Sequence, residues 1–317
     1  MTNAGVAPPN IMWSYTLRRL LAAVPTLLAV ITVSYFLLHA APGGPFDAER
    51  KVSEAVLANL NAKYGLDLPL WQQYLKYLNN LLHGDLGASF RYADWSVNEL
   101  VANALPVSLA IGGTAMALSL VVGIALGTLA ALRQNSAADY GLMLVSNLGS
   151  VVPSFVLGPV LVLVFALWLR WLPAGGWDGF AWQFMLLPVA LLTFINVATI
   201  GRVMRGSLIE VMHSNFIRTA RAKGLPTRTV VLRHAFKPAL LPVVSVISPL
   251  AISSITAALV TETVFSLPGI GKLIVNGAGN RDYTLVLGLV VLITVIAVTL
   301  NLLVDLAYAA LDPKIRY

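Results

Sequence analysis

The sequence contains no cysteine and few charged residues: Asp, Glu, Lys and Arg together make up 11% of its 317 residues. Without cysteine, the chain forms no disulfide, uses no thiol nucleophile and holds no metal through a thiolate. Soluble domains carry about 25% charged residues and about 45–50% apolar residues. The hydrophobic fraction here is 58%, so the composition predicts an integral membrane protein.

Acidic residues are outnumbered: 14 Asp and Glu oppose 21 Lys and Arg, which gives a formal net charge of +7. A positive excess could attract nucleic acid. In a membrane chain, however, it is first explained by the Lys and Arg residues that collect at the cytoplasmic ends of membrane spans. We therefore expect a lipid bilayer as partner and no nucleic acid.

Uncharged stretches of suitable length occur six times along the chain. A helix that crosses the bilayer needs roughly 20 apolar residues, because each residue rises about 1.5 Å and lipid cannot satisfy free backbone groups. The stretches are residues 20–41, 101–132, 140–169, 179–201, 238–261 and 283–304. The sequence thus predicts an all-α polytopic membrane protein with six transmembrane helices.

The basic residues give this topology an orientation. An even number of spans places both termini on the same side of the membrane. Arg18, Arg19, Arg133, the dense run at 202–237, Lys314 and Arg316 then share that side. The positive-inside rule makes it the cytoplasm.

The first apolar stretch has a competing interpretation as a secretory signal. Arg18 and Arg19 precede it, and small residues follow His39. Signal peptides have an apolar core of about 7–15 residues, and this stretch is longer. We therefore favour a retained transmembrane helix over 17–41, preceded by a cytoplasmic tail over 1–16.

The outer region at 42–100 is predicted to be helical. Val52, Val56, Leu60 and Tyr64 recur at helical spacing, and a second helix is expected over 71–82. Such a region is either a plain cap on the membrane domain or a docking surface for an external partner. The remaining residues, 101–317, form a core with helices 2–6 and an inner loop at 202–237.

The inner loop encodes a short helix with a sharp start and stop. Ser214 and Asn215 are typical of a helix start, cations lie in the last turn, and Gly224 and Pro226 are typical of a helix end. A second helix is expected from about Thr227 toward Pro238. A basic loop is also suited to lie against anionic lipid, but the caps at both ends favour a rigid helix that fits a groove on a partner.

The stretch 215–242, NFIRTARAKGLPTRTVVLRHAFKPALLP, resembles the signature loop of binding-protein-dependent ABC permeases, specifically the peptide branch. Ala220 and Gly224 match the second alanine and the glycine of the family's Glu-Ala-Ala, three residues, Gly pattern. Arg218 and Thr219 stand where that pattern has Glu and the first Ala. The resemblance also covers the segments LRR at 17–19, APG at 41–43, HGDLG at 83–87, VPSF at 152–155, ETVFSLPGIG at 262–271 and DPKIRY at 312–317.

Taken together, these motifs resemble the B-type permease subunit of an oligopeptide importer. The resemblance implies the type I ABC importer permease fold and a coupling helix that contacts an ATPase subunit. The coupling segment would comprise Asn215, Phe216, Ile217, Arg218, Thr219, Ala220, Arg221, Ala222, Lys223 and Gly224. It also implies a second homologous permease, two ATP-binding-cassette ATPase subunits, an extracytoplasmic peptide-binding protein and a peptide substrate in the bacterial inner membrane.

Motifs for chemistry within this chain fail on inspection. A phosphate loop needs Gly, four residues, then Gly-Lys-Ser/Thr, and the segment ending at Lys272 has Ser266 and Leu273 at the other key positions. We therefore expect ATP and Mg²⁺ to be bound by partner subunits and no cofactor, metal or catalytic residue in this chain. Ser207 and His213 lie in the inner loop, where an intramembrane protease would not place them.

Acidic residues near the spans remain candidates, because charges within a membrane are costly and often line aqueous paths. Glu262 at the outer end of the fifth span is either an interfacial residue or part of a gate or pore, and Pro268 shapes a turn near the same mouth. Asp305 is expected to form a structural ion pair or an interface contact. The small residues Gly112, Gly113, Gly123 and Gly127 should permit close helix contact. The prolines inside the spans should supply bends; they are Pro153, Pro159, Pro188 and Pro249.

The expected mechanism is alternating access driven by partner ATPases. The same architecture could import dipeptides, glutathione, nickel or haem. A more distant alternative is an ion-coupled secondary transporter, which would need ionisable relays at mid-membrane and inverted repeats, and neither is evident. An intramembrane hydrolase is the alternative from another class.

Overall fold

A computed structural model of the chain describes residues 9–41, 65–92, 94–256 and 258–311. The helix predicted from Val52 to Tyr64 lies outside these described residues. In the parts that are described the chain is helical, with one isolated antiparallel bridge between Ala88 and Ser96. The all-α prediction is confirmed.

The helices are numbered in chain order. They are α1 (Pro9–Ala40), α2 (Leu70–Leu82), α3 (Val97–Leu132), α4 (Ala137–Val151), α5 (Ser154–Leu161), α6 (Trp182–Met212), α7 (Asn215–Ala222), α8 (Thr227–Thr229), α9 (Phe236–Thr256), α10 (Ala258–Val264), α11 (Ile270–Gly279) and α12 (Tyr283–Leu311). Two wider, π-helical turns extend this set. Val162–Trp168 continues α5, and Val230–Ala235 joins α8 to α9.

Five continuous helical stretches are long and apolar enough to cross a membrane, and a bent pair supplies a sixth. The third predicted span, 140–169, consists of α4 and α5 with a 106° bend between them, which confirms the bend expected at Pro153. The bend lies at Val152 and Pro153. Proline disfavours helical geometry in the residue before it, and Val152 accordingly has φ −75° and ψ 118°.

The centre of the bundle is α6, against which α3 and α4 pack through glycines. A Cβ on Gly127 would lie 2.5 Å from the carbonyl oxygen of Gly201, and a Cβ on Gly149 would lie 2.8 Å from the Cβ of Ala198. Gly123 and Gly112 also touch neighbouring helices, whereas a Cβ on Gly113 would meet nothing within 4 Å. The expected close packing is therefore correct for Gly112, Gly123 and Gly127 and wrong for Gly113.

The outer layer is tied to the bundle by backbone contacts just before α3. Ser96 caps α3 in a reciprocal arrangement with Glu99. The Val97 N–H donates to the carbonyl of Gly87 at 2.8 Å, and the hydroxyl of Ser89 donates to the buried carboxylate of Asp282. The helix predicted over 71–82 is confirmed as α2, one residue longer at its start.

The inner loop contains the predicted short helix. It runs from Asn215 to Ala222, with Ser214 before it and Gly224 beyond its end. The helix expected to run from Thr227 toward Pro238 does not stop there: α8, the following π-helical turn and α9 form one continuous stretch to Thr256. That stretch belongs to the fifth span, whose first turns lie in the loop.

Candidate functional site

Helix α7 packs against the inner ends of two membrane spans through apolar contacts. The side chains of Ile217 and Ala220 are buried, and they belong to a core cluster with Met204 and Leu208 of α6 and Val230 at the start of the fifth span. This cluster joins the inner ends of two spans. Consequently, a displacement of α7 relative to these spans would disrupt the apolar cluster.

The other face of α7 is open to solvent. Phe216 is 50% exposed although it is a large apolar side chain, and Thr219 and Lys223 lie on the same helical stripe at spacings of three and four. Asn215, Arg218, Arg221, Ala222 and Gly224 are exposed as well. An exposed aromatic residue among cations, on a helix fixed from behind, is suited to bind a groove that has acidic edges.

The end of α7 is set by backbone conformation. Gly224 has φ +76° and its N–H donates to the carbonyl of Arg221 at 2.9 Å, while the Leu225 N–H donates to that of Ala220. A Cβ on Gly224 would meet nothing within 4 Å, so glycine is favoured there for its left-handed conformation and not for space. The start differs from the prediction, because the Ser214 hydroxyl donates to the Val211 carbonyl and does not cap α7.

An ion pair lies next to this loop, between the start of α4 and the inner part of α6. Arg205 donates to both carboxylate oxygens of Asp139, through Nε and, at 2.7 Å, through Nη2. The side chain of Asp139 is 2% exposed and that of Arg205 is 23% exposed. No local pattern in the sequence links these two residues, because they are 66 positions apart.

At the outer end, Glu262 is buried and accepts hydrogen bonds from α3 and α11. The Ser108 hydroxyl donates to its Oε1 at 2.6 Å, and the Lys272 N–H donates to its Oε2 at 2.9 Å. Ser108 also accepts from the N–H of Ile270 at 2.9 Å. The carboxylate thus satisfies free N–H groups at the start of α11, where the helix dipole also favours an anion.

Pro268 lies on the exposed side of the same turn. It lines an outer cavity of about 410 Å³ together with Trp95, Trp177 and Lys272. The structure therefore places Glu262 beneath the turn and Pro268 on it. Neither residue is near α7. Glu262 and Pro268 are at the outer end of the fifth span, whereas α7 precedes its inner end.

The predicted contact of Asp305 is confirmed. Its carboxylate accepts from Arg19 at 3.2 Å, which ties α12 to α1. Among the described residues three carboxylates are buried, those of Asp139, Glu262 and Asp282. Of these, only Glu262 was a candidate from the sequence, as an acidic residue at the outer end of a predicted span.

Comparison with protein families gives two matches that together cover most of the chain. Residues 123–317 match the family described as "Binding-protein-dependent transport system inner membrane component". Residues 12–111 match the N-terminal part of such membrane components.

Curated relatives match the chain over nearly its whole length. The oligopeptide transport system permease protein OppB of Haemophilus influenzae is 55% identical over 306 residues, covering 96% of this chain and 100% of the relative. The Escherichia coli OppB is 52% identical with the same coverage. The dipeptide transport system permease protein DppB of Bacillus subtilis is 39% identical, covering 96% of this chain and 98% of the relative.

Among solved structures, the MetNI methionine ABC transporter in inward-facing conformations matches with a TM-score of 0.57. The identity is 17%, and the match covers 67% of this chain and 96% of the other. At this identity the likeness concerns the fold, and it confirms the permease fold expected from the sequence. With the apolar spans and the family match, it follows that this chain is a multi-pass protein of the bacterial cytoplasmic membrane and belongs to the family of binding-protein-dependent transport system inner membrane components.

Proposed function

We propose that this chain is the transmembrane permease subunit of an ATP-binding-cassette importer that moves oligopeptides into the cytoplasm. The observation that carries the proposal is identity above one half, over the whole length, with relatives named oligopeptide permeases. The six spans, with α7 projecting on the inner side, provide the architecture that such a subunit needs.

The segment from Asn215 to Gly224 is the coupling helix in this proposal. Its buried residues, Ile217 and Ala220, attach it to the spans, and its exposed Phe216 offers the main apolar contact to an ATPase groove. Arg218 and Lys223 beside it favour carboxylates on the partner. Motion of the ATPase is thereby passed to α6 and α9, which change the access of the pore from one side to the other.

The chain supplies no ATP hydrolysis of its own in this scheme. ATP and Mg²⁺ belong to two partner ATPase subunits, since the motif that would cradle phosphate is incomplete between Ser266 and Leu273. A second homologous permease completes the pore, and an extracytoplasmic binding protein delivers the peptide. No catalytic residue is assigned.

Glu262 and Pro268 belong to the outer gate in the proposal, in different ways. Pro268 lies at the surface of the outer cavity and meets the arriving peptide or the binding protein. Glu262 acts from beneath, because its carboxylate fixes the start of α11 and so the position of Pro268.

Uptake of labelled peptides of graded length tests the substrate. Cells with this chain should accumulate peptides of several residues, and cells without it should not. Uptake of dipeptides alone would favour the dipeptide branch, to which a relative at 39% identity belongs by name. Uptake that persists with inactive ATPases, and collapses with the ion gradient, would contradict the proposal.

Co-purification of the ATPases tests the coupling helix. Gly224→Asp places a negative charge beside the cationic face and should abolish co-purification, while the protein stays in the membrane. Gly224→Asn is the matched control, because Asn has the same shape, carries no charge and tolerates a left-handed backbone. Replacing Arg218, Thr219 and Ala220 by acids should act like Gly224→Asp, and normal co-purification with both changes would overturn the assignment.

A further inference from the structure

The start of α4 is bound to α6 by the buried Asp139–Arg205 pair. Both carboxylate oxygens accept from the guanidinium, and Oδ2 also accepts from the backbone N–H of Asn135 at 2.9 Å. Asn135 has φ +61°, so the turn between α3 and α4 is shaped to bring its N–H to the same carboxylate. One side chain therefore fixes a turn and a helix start to α6.

The remaining length of α4 also lies on α6. A Cβ on Gly201 would lie 3.5 Å from the side chain of Leu142, and Gly149 near the other end of α4 approaches Ala198 and Phe194. The opposite face of α4 is open, with Leu144 62% exposed and Leu148 49% exposed. Among the described helices, α6 is thus the main support of α4.

Helix α6 in turn leads directly into α7. Only His213 and Ser214 separate them, and Met204 and Leu208, on either side of Arg205 in the sequence, belong to the apolar cluster that holds α7. The ion pair thus lies where α6 is already rigidly connected to α7. A displacement of α7 must be carried by this part of α6.

Apolar packing alone would leave α4 free to rotate or slide on α6, since lipid tails satisfy apolar side chains as well as a neighbouring helix does. A bidentate, buried ion pair fixes the relative orientation, because breaking it leaves an uncompensated charge. We propose that Asp139 and Arg205 are positioning residues that make α4 move with α6 and α7, so that movement of the coupling helix reaches the bent span formed by α4 and α5.

This inference rests on the proposed function. It is tested by the ratio of peptide imported to ATP hydrolysed. The complete complex with its ATPases and binding protein is placed in proteoliposomes, and peptide imported per ATP hydrolysed is determined. Asp139→Asn and Arg205→Gln should each lower this ratio about tenfold, which is within the range of coupling for side chains in one network. The exchange of Asp139→Arg with Arg205→Asp should recover the part of the loss that is due to the ion pair, but not the part that is due to the hydrogen bond from the Asn135 N–H, which arginine cannot accept.

Arg202→Gln is the matched control. Arg202 is on the same helix and also donates to α4, through the Ser150 hydroxyl, but this contact is exposed. Exposed polar contacts contribute little, so the ratio should stay near that of the unaltered complex.

A second measurement needs no transported peptide. The chain has no cysteine, so Leu144→Cys on α4 and Glu210→Cys on α6 allow two spin labels at chosen exposed sites. The distance between the labels should be the same with and without bound ATP, and it should differ between these states when Asp139→Asn is added. If the unaltered complex imports no peptide, the proposed function fails while this distance still tests the ion pair.

Three outcomes would overturn the inference. The first is a normal ratio and an unchanged label distance in Asp139→Asn. The second is failure of Asp139→Asn to assemble, which would make the pair a requirement of folding. The third is failure of the exchanged pair to recover any part of the ratio, which would assign the effect to one side chain and not to the pair.

Discussion

Two of the three buried carboxylates, one at each end of the bundle, are stabilised by different donors. Asp139, at the inner end, is paired with the guanidinium of Arg205 on another helix. Glu262, at the outer end, has a hydroxyl and the N–H groups of a helix start as its partners. Both residues are 1% exposed, so the degree of burial alone does not determine which donors stabilise a carboxylate.

The difference has consequences for what each site tolerates. An ion pair is a contact between two side chains, and removal of either partner leaves a charge without compensation. Glu262 has one side-chain donor, the Ser108 hydroxyl, but it keeps a backbone N–H donor when that hydroxyl is removed. The inner site should therefore be more sensitive to single changes than the outer site.

The largest effect is expected from Arg205→Leu, which leaves Asp139 buried without its counterion. Loss of one partner of a buried pair costs about 3–5 kcal/mol. The free energy of unfolding, measured by SDS titration in mixed micelles, should fall by that amount. Arg202→Leu on the same helix should cost less than about 1 kcal/mol, because its contact is exposed. Equal losses of unfolding free energy in the two variants would show that burial of the donor does not determine how much its contact stabilises the protein.

An intermediate effect is expected from Gly269→Ala at the outer site. The added Cβ would lie 2.0 Å from Oε1 of Glu262, so the carboxylate must move and its hydrogen bonds weaken. The expected loss is about 1–3 kcal/mol, the usual consequence of leaving buried donors unsatisfied. In a Glu262→Ala background the same change should cost almost nothing, since the clashing atoms are gone. If the losses from Gly269→Ala and Glu262→Ala add in the same unfolding titration, the added Cβ does not act by displacing the Glu262 carboxylate.

The smallest effect is expected from Arg19→Gln, which removes the contact with Asp305 at the membrane surface. The two side chains are 53% and 22% exposed, and exposed pairs contribute about 0–1 kcal/mol. The unfolding free energy should change within that range, and the difference should shrink as salt is raised. A loss as large as that of Arg205→Leu would show that burial does not control the strength of these ion pairs.

The short helix α7 shows what local sequence can define. The structure has both predicted boundaries, after Ser214 and before Gly224. The end follows from the left-handed backbone of Gly224, whereas the Ser214 side chain does not make the capping hydrogen bond expected at the start. The spans are equally local, because their length follows from the thickness of the bilayer. Fold class and number of spans were therefore predictable from the sequence.

The sequence predicted a bend at Pro153 but not its angle of 106°, and it did not predict that the helix beginning at Thr227 continues into the fifth span. Pro153 lies inside the third predicted span and Pro238 begins the fifth, yet the chain turns sharply at the first proline and continues as helix through the second. The outcome depends on whether neighbouring helices satisfy the backbone groups that a proline leaves without an intrahelical hydrogen bond. Local sequence does not contain that information.

The sequence by itself determined a six-span membrane protein with a short, sharply bounded helix in its basic loop, since hydrophobic length, positive charge and capping are properties of short segments. Only the tertiary structure paired Asp139 with Arg205 and placed Glu262 on Ser108 and the start of α11, across separations of 66 and 154 residues for the two side-chain contacts. The physical reason is that a buried carboxylate is stable only where donors converge on it, and helices distant in the chain bring those donors together.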